Sequence, residues 1–324
     1  MDRIAPALLT RAAAILSLGA VLVVPSEVWF YPVHLGPDFA MAVVLYGLLG
    51  WTMVALLSVT GRRDAGGWWI GAGIFGLLAE GLVVGELYTA LPISILWTPL
   101  AWHMLVTVGL CLGALRWAMA RGAGATLLLS AAFGLGFGLW NGWMWSVRET
   151  ETGAMAFDWA TVAPFAVQCA VGWVLFAAGH RGWDRLAGRV AALDLRVDLA
   201  ILLGLATLLW ATTWAVAAFP AALVLPCLVG ASLLALRGTP AGAPRRMEAV
   251  PGRRILLTSA LPLLAVAGFA VFTQARIPLE INALAIFTLG PTALWLWGRA
   301  MLHGLIHRQP AERRQSKPLE RNGD

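Results

Sequence analysis

The side chains of this chain that could do chemistry are a few ionisable residues inside otherwise apolar stretches. Glu80 and Glu86 stand in AEGLVVGELYTALP, and His103 stands in WTPLAWHM. Asn141 and Gln168 are uncharged companions further along the chain. A carboxyl beside an imidazole passes a proton in either direction, so it serves as an acid–base pair or as a proton-binding site. Each residue also has a plainer reading: a glutamate that hydrogen-bonds neighbouring helices together, and a packed histidine that donates to a carbonyl.

Other chemistry has less support. His303 and His307 are spaced like metal ligands on one helical face, but beside Arg299 and Arg308 they read as a solvated helix end. Cys111, Cys169 and Cys227 show no C-x-x-C spacing and read as small buried side chains. Walker, H-E-x-x-H and G-x-S-x-G patterns are missing from the sequence. The expectation is therefore no metal and no cofactor.

The elements that hold these residues are membrane helices. Of 324 residues, 60% are hydrophobic and 12% charged, about half the charged share of an ordinary soluble domain, roughly 25%. A membrane helix needs about 20 predominantly apolar residues. Stretches near 10–31, 39–60, 68–88, 96–118, 123–146, 160–180, 199–219, 221–236, 255–273 and 282–302 meet or approach that length. The fold class is all-α, a polytopic membrane protein of about ten helices, with nine or eleven as alternatives. Residues 181–198 are too charged to span. Trp183, Leu186, Val190, Leu193 and Val197 recur there at helical spacing, which predicts an amphipathic helix lying at the interface. That segment divides the chain into a six-helix bundle (1–180), a four-helix bundle (199–307) and a basic tail (308–324) expected to be disordered.

The arginines supply an orientation. Of 23 basic residues, 21 fall on one side, at span ends and in the segments between them, leaving only Arg148 and Arg276 opposite. Loops on the cytoplasmic side carry the excess of Lys and Arg, so both termini are expected in the cytoplasm, with the chain in a bacterial-type inner membrane. The net charge of +6 then reports sidedness and gives no reason to expect nucleic acid as a partner. The expected partners are the lipid bilayer and a small or lipophilic ligand; no oligomeric state follows.

Depth and facing bring the polar residues together. Glu80 and Gln168 each lie about 12 Å below the outer surface and Asn141 about 8 Å. His103 is about 6–8 Å deep if its helix starts at Thr98, or about 15 Å deep if it starts near Ile93. Glu80 shares a four-residue row with Gly76, His103 with Pro99 and Thr107, and Gln168 with Pro164 and Gly172. Such small-residue rows mark contacts between membrane helices, so these polar groups point inward. The doubled G-x-x-x-G of Gly134, Gly138 and Gly142 is a packing groove by the same argument. Trp140, Trp143 and Trp145 cluster around Asn141, with Trp97 and Trp102 on the neighbouring helix. They form an aromatic belt or the wall of a ligand pocket. Glu27, His34 and Glu86 lie at the outer rim.

Three functions fit these residues. The first is a small permease with Glu80 as its proton or cation site, His103, Asn141 and Gln168 as polar contacts, and Trp97, Trp102, Trp140 and Trp143 as its wall. The second is a membrane enzyme acting on an isoprenoid or other lipid, with Glu80 and His103 as catalytic acid and base. The third is a scaffold subunit without catalysis.

Overall fold

The computed structural model describes residues 4–29, 35–62, 64–152, 159–237, 249–275 and 281–306. Among them are ten helices, half of them unbroken α-helix and four wound in part as π-helix. Helix α1 runs Ile4–Val23 and ends in a π-helical turn, Val24–Val28; α2 is Pro37–Thr60. Helix α3, Ala65–Leu78, likewise passes into a π-helical turn, Ala79–Val84. Helix α4 begins at Ile93, is π-helical over Leu96–Ala114, and returns to α-helix over Leu115–Arg121. Then follow α5 (Ala123–Thr152), α6 (Trp159–Ala191), α7 (Arg196–Leu209, extended to Ala217), α8 (Val224–Leu236), α9 (Gly252–Leu257 and Ala260–Ala275) and α10 (Ile281–Ile306). Eight of these helices are long and apolar enough to cross a membrane, against the ten spans expected. Ala221–Leu236 is apolar but shorter. The chain is a multi-pass, all-α membrane protein.

Local sequence explains the boundaries that matter. Pro37, whose missing N–H costs nothing in the first turn, opens α2, and Gly61 closes it with φ of 69°. The π-helical turn of α3 stops at Gly85, whose φ is 88° and whose N–H donates to the Glu80 carbonyl at 2.8 Å. A side chain there would be strained by that backbone and would also meet Trp214, 2.1 Å from a built Cβ.

The G-x-x-x-G row has a definite partner. A Cβ on Gly134 would lie 2.4 Å from the Leu261 carbonyl oxygen, and one on Gly138 2.5 Å from that of Ala265. One on Gly142 would lie 2.2 Å from the Phe272 ring. Helices α5 and α9 thus approach backbone to backbone, as bare glycines permit. Helix α10 packs against α3, α4 and α8, so the later helices interleave with the earlier ones.

One expectation is corrected. Residues 181–191 continue α6 without a break, 192–195 form a turn, and α7 starts at Arg196. There is no separate interfacial helix over 181–198. Trp183 and Val190 are buried, and Leu186 and Leu193 pack against the core, so most of the apolar stripe faces protein. Val197 is exposed. A helical stripe records only that one face is apolar, and a protein surface satisfies it as well as a lipid surface does. The 308–324 tail lies outside the described residues.

Helix α7 is the most exposed. None of Arg196–Leu209 is buried. It is fastened near its start by Asp198, which receives Arg11 Nε at 2.7 Å and Trp51 Nε1 at 3.1 Å. At its far end Trp214 Nε1 donates to the Leu82 carbonyl at 3.0 Å.

Candidate functional site

Helices α3 and α4 meet along the two rows marked in the sequence. A Cβ on Gly76 would lie 2.0 Å from the Pro99 carbonyl oxygen and 3.2 Å from His103 Cβ. One turn on, this close contact brings His103 Nε2 to 2.7 Å from Glu80 Oε1. Both side chains are almost wholly buried, at 3% and 5% exposure. Because α4 starts at Ile93 rather than Thr98, His103 takes the deeper of its two expected positions, about 15 Å along the helix.

The π-helical winding shapes this pair. Glu80, His103, Ser26 and Thr107 all lie in π-helical segments of three different helices. This geometry is rare and tends to occur at functional sites. Ser26 Oγ lies 3.2 Å from His103 Nδ1 and 2.7 Å from Thr107 Oγ1. One consistent set of donors runs from the Thr107 hydroxyl to Ser26, from the Ser26 hydroxyl to His103 Nδ1, and from His103 Nε2–H to Glu80. Adding a proton to Glu80 and taking the Nδ1–H tautomer of His103 reverses the donor roles along this chain without breaking it. Glu80 Oε2 is buried and has no hydrogen-bond partner among the described residues. A buried unsatisfied acceptor costs about 1–3 kcal/mol, so that oxygen is available to a proton or a ligand.

Glu27, expected at the rim, extends the cluster toward Tyr46. Its Oε1 accepts the Tyr46 hydroxyl, and the Tyr46 ring lies 5.9 Å from the His103 ring. Glu27 is only half-buried but reaches inward, because the π-helical turn at the end of α1 carries it beside Ser26. Phe75 closes the same wall, 6.2 Å from the His103 ring in an edge-on contact. Glu86 is exposed and receives the Thr89 hydroxyl at 3.1 Å. His34 lies outside the described residues.

Two side chains outside the pair hold its turn in place. Tyr88 donates its hydroxyl to the Gly81 carbonyl at 2.7 Å, next to Glu80. Burial pushes the Tyr88 phenol up to about 12, so this donor stays protonated far above neutral pH. Trp214, at the end of α7, takes the following carbonyl, that of Leu82.

Asn141 and Gln168 do not join the pair. Gln168 Nε2 donates to the Val28 carbonyl at 2.7 Å, which ties α6 to the end of α1. Asn141 is fully buried, and its amide has no partner among the described residues. The tryptophans do come together. Trp97 stacks on Trp140 at 5.3 Å and 17°, and Trp102 lies 5.3 Å from Trp140. The side chain of Trp143 is not among those described.

Trp102 has a second contact of interest. Its Nε1 donates to the Ser26 carbonyl at 3.3 Å, so one face of this residue touches the polar relay. Its other side lines a cavity of about 250 Å³ between α4, α5 and α10, with Val106, Phe137, Trp140, Leu284 and Leu289. Neither Glu80 nor His103 lines that cavity. Among the described residues, no group of three His, Cys, Asp or Glu side chains could hold a metal ion.

A second buried polar cluster lies at the arginine-rich end, where sequence reasoning saw only sidedness. Arg116 of α4 donates to Asp184 of α6 through Nη2 and lies 3.0 Å from His180 Nδ1 through Nη1. Asp184 also accepts the Val250 N–H at 3.1 Å. Arg254 donates to the carbonyls of Met119 and Ala120 at 2.7 Å each, capping the end of α4. The available signal was the spacing of His180 and Asp184, four apart on one helix face. The chain matches no known family model, no characterised protein and no solved structure.

Proposed function

We propose that this protein performs acid–base chemistry within a membrane on a lipophilic substrate, with Glu80 and His103 as the proton-transferring pair. One observation carries the reading: a desolvated carboxyl–imidazole contact with an unpartnered oxygen, Glu80 Oε2. It stands one residue along α4 from Trp102, a wall of an apolar cavity. In this reading Glu80 gives a proton to the substrate, or takes one from it, at Oε2. His103 hydrogen-bonds the other oxygen, and the Ser26 and Thr107 hydroxyls orient its ring from the far nitrogen. Positioned acid–base transfer contributes about 10²–10⁴-fold to a rate. The excess of arginine at one end supports an orientation with that end, and both termini, in the cytoplasm of a cell with a bacterial-type inner membrane.

Glu80→Gln keeps the size of the side chain and a hydrogen bond to His103 while removing the titratable proton. Lipid extracts from cells making this variant should differ from those of cells making the unaltered protein, with a precursor retained and a product lost. Identical extracts would remove the enzymatic reading.

A proton-coupled carrier is the second reading, favoured by the Glu27–Tyr46 contact that extends the polar cluster beyond His103. A carrier leaves the lipid extracts unchanged, whereas pH-driven uptake into vesicles disappears in Glu80→Gln. The cavity beside Trp102 weighs against a polar cargo, since its lining is almost entirely apolar.

A further inference from the structure

We infer that the cavity between α4, α5 and α10 is a lateral binding site for a hydrocarbon chain, admitted from the bilayer and leading to Trp102. The inference deepens the proposed function and rests on it for the identity of the chain as part of the substrate.

The lining decides the class of ligand. Of the cavity's residues, Trp102, Trp140, Thr288 and Cys111 carry polar side-chain atoms, and the lining is otherwise apolar. The Trp102 N–H is occupied by the Ser26 carbonyl, and the Thr288 hydroxyl donates to the Leu284 carbonyl of its own helix at 2.7 Å. Cys111 is buried and behaves as a small hydrophobe. A sugar, an amino acid or an ion would lose its hydration here and gain little in return. A hydrocarbon chain loses nothing, and the rings of Trp102, Phe133, Phe137 and Trp140 offer it contact area.

The mouth decides the route. Ala132, Gly136, Leu284 and Thr288 line the cavity and are exposed on the flank of the bundle. Ala132 and Gly136 belong to a helix long and apolar enough to cross a membrane, so the opening faces lipid and not either aqueous end. Trp102, on the cavity wall, is adjacent in sequence to His103 and bonded to the relay through Ser26. Gly136 leaves the passage clear, because a Cβ built there meets nothing within 4 Å.

That open position allows a test that does not disturb the fold. The full-length protein is reconstituted in phosphatidylcholine vesicles containing a palmitate probe that bears a photoreactive diazirine on its chain, and labelled peptides are mapped by mass spectrometry. Labelling over 132–140 and 284–289 should saturate with probe concentration. Gly136→Leu should reduce it by at least about tenfold, as filling an apolar pocket does. Labelling of the exposed α7 face, Val197, Ile201, Leu205 and Leu208, should stay unchanged and serve as the reference for ordinary lipid contact. Glu80→Gln should label like the unaltered protein. If its lipid extracts are also normal, the acid–base reading fails while the cavity site stands. Labelling that rises linearly with probe, matches α7, or ignores Gly136→Leu would mean lipid contact only and would overturn the inference.

Discussion

Gly76→Val should destabilise the protein by about 3 kcal/mol or more, at the upper end of what inserted methyl groups cost a packed core. The expected severity comes from what the new Cβ meets. The Pro99 carbonyl oxygen would be 2.0 Å away and its carbon 2.9 Å away, both backbone atoms within a helix. A flexible side-chain end could swing aside, but a helix backbone must move as a body. Helices α3 and α4 would have to separate, and the Glu80–His103 contact lies one turn from the clash. Thermal unfolding in detergent should therefore show a large loss for Gly76→Val, with the acid–base pair broken in whatever protein remains folded. Gly136→Val is the control: it adds the same groups where nothing lies within 4 Å, and should unfold like the unaltered protein. Equal stability of the two variants would contradict the close α3–α4 approach.

Arg116→Met should cost about 3–5 kcal/mol, the range for removing one partner of a buried ion pair. Its side chain is 4% exposed and that of Asp184 12%. After the substitution Asp184 keeps the Val250 N–H but loses its cation, and His180, fully buried, loses its contact through Nδ1. The penalty comes mainly from the charge left behind. Arg116→Met combined with Asp184→Asn should therefore recover most of the stability, because the carboxylate no longer needs a counterion. Losses that simply add in the double variant would show that the two side chains do not act as a pair.

The parts of the site legible in the sequence were those that follow helical geometry. Small residues at Gly76 and Pro99 share rows with Glu80 and His103, and the structure joins those rows. The G-x-x-x-G groove was legible for the same reason, although its partner, α9, was not. Ser26 and Tyr46 carried no signal, and Thr107 was marked only as a member of the His103 row. Hydroxyls in membrane helices commonly bond the carbonyl four residues back, as Thr10, Ser17 and Thr52 do here. Ser26 and Thr107 instead bond each other across two helices. Equal depth was also a poor guide for Gln168 and Asn141, because depth says nothing about which neighbour an amide faces. Arg116 closes the fourth apolar stretch and signals only sidedness. An arginine at the end of a span looks the same in sequence whether it reaches water or a buried aspartate.

The most direct test of the acid–base account follows the proton. Purified protein is incorporated into vesicles made from the total lipids of cells that lack it, in heavy water, and the lipids are analysed by mass spectrometry. A site that exchanges a proton between solvent and a lipophilic substrate should place deuterium on a carbon of one lipid class. Glu80→Gln should reduce that incorporation by about 10²-fold or more, while Gly136→Val, Leu or other cavity-filling changes reduce it through binding. Deuterium incorporation that is absent with the unaltered protein, or equal with Glu80→Gln, would contradict the account.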